Sequence, residues 1–127
     1  MASRLQIDEG RPVFELVRLR VVDDDPVSIE WASLPLDRYP GIERYNFERL
    51  SLYSVMEMKY LTIFGGGQEE ISITYAEEHE AQLLKISEGD ALFFLRGVTW
   101  DEDHRPVEDV KSVIRPDRLM FASTLTK

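Results

Sequence analysis

Apolar residues crowd both sides of a period-two pattern from Val13 to Val22, the first clear element of the chain. Pleating puts Phe14, Leu16, Arg18, Arg20 and Val22 on one face and Val13, Glu15, Val17, Leu19 and Val21 on the other. With both faces largely apolar, the pattern predicts a strand in the centre of a sheet. Asp23-Asp24-Asp25 closes it and apolar character resumes from Val27 to Trp31, which predicts a hairpin. Leu34-Pro35-Leu36 and Tyr39-Pro40-Gly41 then break the pattern, as a connection with one short turn of helix would. Leu52, Val55, Met56 and Tyr60 recur at helical spacing behind Ser51, a suitable N-cap, so a helix is expected from Leu52 to Tyr60. Gly65-Gly66-Gly67 reads as a flexible turn, Glu70 to Tyr75 as a strand, and Glu77 to Ile86 as an amphipathic helix stopped at Gly89. Ala91 to Trp100 and Val107 to Arg115 form a second hairpin around Asp101-Glu102-Asp103-His104-Arg105, and Leu119 to Leu125 can supply a last strand. Strands outnumber helices and hairpin links imply antiparallel pairing, so the expected class is α+β, an antiparallel β-sheet flanked by helices.

The pattern also repeats. Leu5-Gln6-Ile7-Asp8-Glu9-Gly10 followed by Phe14-Glu15-Leu16 is echoed by Leu84-Lys85-Ile86-Ser87-Glu88-Gly89 followed by Phe93-Phe94-Leu95. Each copy runs through an acidic turn to a Pro-Val pair, Pro26-Val27 and Pro106-Val107, and Asp37-Arg38 is matched by Asp117-Arg118. Two copies at so long a period are not a solenoid. They read as an internal pseudo-duplication whose copies differ in charge: where the first has Arg18 and Arg20, the second has Gly97 and Val98, so any site is expected to be asymmetric.

Composition narrows the function. At 127 residues the chain suits one domain, and 43% hydrophobic with 31% charged residues is ordinary for a folded protein. No apolar run is long enough to span a membrane and the N-terminus lacks the core of a signal peptide, which points to a cytoplasmic protein. The absence of cysteine removes disulfides, thiolate nucleophiles and cysteine-based zinc sites. A net charge of -9 argues against direct binding of nucleic acid, because phosphate neutralisation needs a basic face. Local basic pairs can still bind a small anion.

Arg18 and Arg20 put two guanidinium groups on one face of a strand, about 7 Å apart from strand rise. Such forks hold phosphate or carboxylate bidentately. The same pair can instead fix the register of the hairpin, in which case a three-residue turn sets Glu30 opposite Arg18. Ser51 marks a helix N-terminus, whose free N-H groups and dipole favour anions, although an ordinary cap is the commoner role for such a serine. Tyr53 is either apolar filler or a hydroxyl facing a ligand. Glu30 and Glu108 follow the two Pro-Val pairs and can accept hydrogen bonds from sugar hydroxyls or act as acid and base. No nucleophile or metal set accompanies them, which favours binding over catalysis. The acidic turns do not fit calcium-loop spacing and read as solvated, while His79 and His104 stand without metal-ligand partners.

Val17-Arg18-Leu19-Arg20, Pro26-Val27 with Glu30, Leu34-Pro35, Ser51-Leu52-Tyr53, Ala81 to Gly89, and Pro106-Val107-Glu108 through Arg115-Pro116-Asp117-Arg118 together resemble one known family over nearly the whole chain. This is the UTRA effector-binding domain, the C-terminal half of HutC-type regulators in the GntR family of bacterial transcription factors. The resemblance implies a chorismate-lyase-like fold and usually a homodimer, while the residues themselves give no sign of a cofactor, a metal or enzyme activity. In members that sense amino-sugar phosphates, the matching positions line the effector pocket. Carried over, they are Arg18, Arg20, Glu30, Ser51, Tyr53 and Glu108, and the implied partner is a small anionic metabolite, foremost a sugar phosphate. Residues 1–127 then read as an effector domain without the family's winged helix-turn-helix and without the opening part of the domain. DNA would be contacted only through an N-terminal domain outside this chain. Ile114 stands where sugar-phosphate sensors commonly carry tyrosine, which removes one polar contact. Two alternatives remain: a chorismate-lyase-like enzyme acting on a small aromatic acid, and a dimerisation module with a vestigial pocket.

Overall fold

A computed structural model of the protein describes residues 11–118. Its frame is an antiparallel five-stranded sheet of β1 (Val13–Val22), β2 (Asp25–Pro35), β3 (Phe64–Tyr75), β4 (Ala91–Asp101) and β5 (Pro106–Ile114), in the spatial order β1-β2-β5-β4-β3. Helices α1 (Leu52–Tyr60) and α2 (Glu78–Leu84) complete it, with short 3-10 turns at Ile42–Arg44 and Pro116–Arg118. The expected α+β class and antiparallel sheet are therefore present. Leu5 to Gly10 and the strand expected from Leu119 to Leu125 lie outside the described residues.

Alternation along β2 shows how the two faces are assigned. Ala32 and Leu34 join Leu52, Val55 and Met56 of α1 in one buried cluster, while Ile29 joins Ala81 and Leu84 of α2 in another on the opposite face. Each helix thus covers one face, because each carries an apolar stripe that only a sheet can bury. The N-terminus of α1 is set by Ser51, whose hydroxyl oxygen accepts from the Ser54 N-H at 3.4 Å. Its end is set by Leu61 in a left-handed conformation at φ 58, which lets the Thr62 N-H reach the Met56 carbonyl at 3.0 Å.

Four expectations need correction. β1 is an edge strand: it pairs only with β2, and Val17, Leu19 and Val21 on its second face are exposed. Apolar residues on both faces do not make a strand central, because its place in the sheet is set by the strands that pair with it. Gly65-Gly66-Gly67 is no turn but the start of β3, paired with Thr99 to Asp101 around a bulge. A Cβ at Gly65 would collide with the Asp101 carbonyl, so glycine permits the close approach of the two backbones. Helix α2 stops at Leu84, with Lys85 rather than Gly89 in the left-handed position and the Ile86 N-H donating to the Ala81 carbonyl at 3.0 Å. Finally, the second acidic turn is not wholly solvated. Asp101 is buried and accepts from the Arg105 N-H at 2.9 Å and the Asp103 N-H at 3.0 Å, with Arg38 paired to it at 3.0 Å. Burial alone would raise its pKa, but the Arg105 backbone N-H and the Arg38 charge hold it below the usual carboxylate value.

Candidate functional site

Sheet register, more than any single element, assembles the site. Arg18 pairs with Glu30, Glu30 with Ser112, Ser112 with Leu95, and Leu95 with Ile71, giving one row that crosses all five strands. The next row runs Arg20, Ser28, Ile114, Phe93 and Ile73. Because these positions are two residues apart on every strand, both rows point to the face that carries α1. The N-terminus of α1 ends above them, so this part of the floor is left open. The result is a cavity of about 360 Å³ that brings together Arg18, Arg20, Glu30, Ser51, Tyr53 and Glu108. All six candidate residues share one depression, of a size that suits a small molecule. A neighbouring hollow of about 540 Å³ shares Arg20, Ser28 and Ile114 with it.

The hairpin arithmetic explains the arginines. Asp23 and Asp24 both adopt positive φ, 53 and 63, which makes a two-residue turn, and a bulge between Arg20 and Val21 adds the third residue. Arg18 therefore faces Glu30, as expected for a three-residue turn, and its Nη2 donates to Glu30 Oε1 at 2.5 Å. Both side chains remain more than one-third exposed, so the pair contributes little to stability and mainly orients the two groups. Arg20, one turn of the pleat away, has no ion-pair partner among the described residues. The register-fixing role that the sequence left open for the pair thus falls on Arg18 and not on Arg20.

On the opposite wall, Glu108 is 2% exposed and accepts a hydrogen bond from the Tyr53 hydroxyl at 2.6 Å, with Thr99 Oγ1 at 3.4 Å. Burial raises its pKa, an effect that the Tyr53 hydrogen bond opposes and the Glu30 charge reinforces. Tyr53 itself is pushed up to about 12, first by burial and then by its bond to Glu108. This bond ties α1 to β5 and leaves the rest of the Glu108 carboxyl facing the cavity. Ser51 caps its helix over a long contact, so its hydroxyl is only loosely committed, and the first-turn N-H groups have no intrahelical acceptors. Two guanidinium groups, a helix N-terminus and two glutamates can together hold an anion and read adjacent hydroxyls.

Glu69, Ser28, Ser112 and Leu95 also line the cavity but were not expected there. A signal for Glu69 exists: period two places it on the face of Ile71 and Ile73, but with the glycines taken as a turn the expected strand begins at Glu70, one residue too late to include it. Among the described residues, no group of three or more His, Cys, Asp or Glu could hold a metal.

The chain matches the UTRA domain family over residues 1–120. It is 30% identical over 125 residues to the HTH-type transcriptional repressor PhnF of Mycolicibacterium smegmatis, covering 98% of this chain and 51% of the relative. It is 27% identical over 121 residues to the HTH-type transcriptional regulator YurK of Bacillus subtilis, covering 95% and 50%. A probable fructoselysine utilization operon transcriptional repressor of Escherichia coli is 28% identical over 117 residues, covering 92% and 48%. The chain thus spans about half the length of these curated relatives. The crystal structure of the YurK C-terminal domain superposes with a TM-score of 0.91 at 27% identity, covering 95% of this chain and 83% of that one. The PhnF effector domain gives 0.91 at 29% identity, covering 99% and 77%. Fold, family model and relatives agree: the chain belongs to the UTRA family, the effector-binding domains of GntR-family helix-turn-helix transcription regulators.

Proposed function

We propose that this domain senses a small anionic metabolite, a sugar phosphate before others, and thereby controls operator binding by an N-terminal winged helix-turn-helix attached to it in the intact regulator. The observation that carries the reading is the convergence of Arg18, Arg20, Glu30, Ser51, Tyr53 and Glu108 on one cavity. In this account Arg20 and the first turn of α1 receive the phosphate, while Arg18 holds Glu30 in place. Glu30 and Glu108 accept hydrogen bonds from sugar hydroxyls, and Tyr53 sets the distance between α1 and β5. The E. coli relative's name links it to use of a sugar derivative, which supports a sugar-based effector here.

The relatives are named as transcription regulators and repressors, which supports sensing over turnover. The intact regulator would act as a homodimer in the cytoplasm, with Ile71, Ile73 and Tyr75 of β3 offering an exposed apolar surface for pairing. Effector control requires different affinity for the two arrangements of the dimer. A thermal-shift screen of phosphorylated sugars against their unphosphorylated parents tests the reading on wild type and on Arg18→Ala/Arg20→Ala. A ligand at a hundred times its dissociation constant adds about 2.7 kcal/mol of stability. The expected result is a phosphate-dependent shift that the double variant loses; a shift that persists in the double variant would contradict the assigned site.

A further inference from the structure

The charges around the cavity leave one group of each sign unused. Arg18 is held by Glu30, and Glu108 by Tyr53 and Thr99. Among the described residues, Arg20 and Glu69 line the same cavity with neither a hydrogen-bond nor an ion-pair partner for their side chains. They stand on the two edge strands, β1 and β3, which four strand spacings put on the order of 19 Å apart at the backbone. The cavity is therefore cationic at one end and anionic at the other.

A second observation concerns the space at the Glu69 end. Glu69, Tyr53 and Val110 also border an adjoining compartment of about 340 Å³, which includes Gly67 and Gly97. A Cβ added at Gly97 would lie 3.2 Å from the Glu69 Cγ and 3.6 Å from the Val110 Cγ1. Glycine at this position thus leaves space beside the side chain of Glu69, which is exposed to solvent. A simple anion in the main cavity would meet Arg20 but would also face an uncompensated carboxylate, whereas an ammonium group beside Glu69 would form a charge-assisted hydrogen bond there.

We propose that Glu69 is a specificity residue that reads an ammonium group on the effector, so that the molecule recognised is two-ended, anionic at Arg20 and cationic at Glu69. The proposal rests on the anionic-effector reading and narrows it. The separation of the two edge strands requires the two charges to be several bonds apart, on a ring or chain, and not on one carbon.

The test compares matched pairs of compounds, α,ω-aminoalkyl phosphates and plain alkyl phosphates of the same chain length, by calorimetric titration at constant ionic strength. The wild-type domain should prefer the amine-bearing member of the best-fitting pair by roughly tenfold or more. Glu69→Gln should bring that ratio close to one by weakening the amine compound. Glu70→Gln, on the other face of β3, should keep the wild-type ratio, and Arg20→Ala should weaken both members. Equal affinities in the wild type at every length, or a preference that survives Glu69→Gln, would overturn the role of Glu69 while leaving the anion site standing. Failure of every phosphate to bind the wild type would overturn the anionic-effector reading and this inference with it.

Discussion

The two faces of the sheet are built from the same five strands yet are finished differently. On one, α2 closes over Ile29, Leu92 and Val113 with Ala81 and Leu84, and the cluster is buried and apolar. On the other, α1 covers Ala32 and Leu34 but ends above the rows headed by Arg18 and Arg20, where Glu30, Ser112 and Glu108 line the floor. Both helices leave part of a face uncovered, but the strip beyond α2 carries the apolar Val17, Leu19 and Val21, whereas the strip beyond α1 carries Arg18, Arg20 and Glu30 and borders a cavity. Buried carboxylate, capped helix end and paired arginine all sit at that uncovered edge, where their polar groups can still be satisfied.

The largest effect that should separate the faces is on stability. Leu84→Ala, at a fully buried position on the α2 face, should cost roughly 2–5 kcal/mol in urea unfolding while effector affinity in the folded protein stays as in wild type. A matching loss of affinity would mean that the faces are coupled. Arg20→Ala should show the reverse, with affinity for an anionic effector falling tenfold or more and stability within about 0.5 kcal/mol of wild type.

Glu108→Gln should act through pH. Because burial raises the Glu108 pKa above its ordinary 4.5, the native state keeps a proton that the unfolded chain releases. Its contribution to stability is therefore full below 4.5 and is lost as pH rises from there through the folded value. Urea midpoints measured from acid to neutral pH should fall less steeply in Glu108→Gln than in wild type, and an unchanged slope would remove Glu108 as the source. Ser51→Ala should cost about 0.5–1 kcal/mol, at the low end for a cap because its bond is 3.4 Å long. Leu19→Ser, on the uncovered face of β1, should change stability by no more than about 0.5 kcal/mol.

Much of this architecture is legible in the sequence, because strand alternation and turn chemistry are local. The pairing of Arg18 with Glu30 follows from counting across the turn, and α1 follows from the spacing of Leu52, Val55 and Met56 behind Ser51. What fails is whatever depends on neighbours distant in sequence. Whether β1 is central depends on whether a second strand pairs with it, and its own residues carry no record of that. The three glycines of β3 take their meaning from Asp101 and Trp100 across the sheet, and losing them from the strand also hid Glu69. The six candidate positions came from ordered motifs spread over the chain, whose meeting in one cavity needed the register of all five strands.

The most direct test of the account is an NMR titration of the isotope-labelled domain with glucose 6-phosphate and with inorganic phosphate, following the arginine Nε signals and the backbone amides. The shifts should concentrate on Arg20, on the first turn of α1 from Ser51 to Ser54, and on the Glu30 and Glu108 strands, with the α2 face unmoved. Shifts centred on Glu70, Arg96 and the α2 face, with Arg20 and the α1 N-terminus silent, would contradict it.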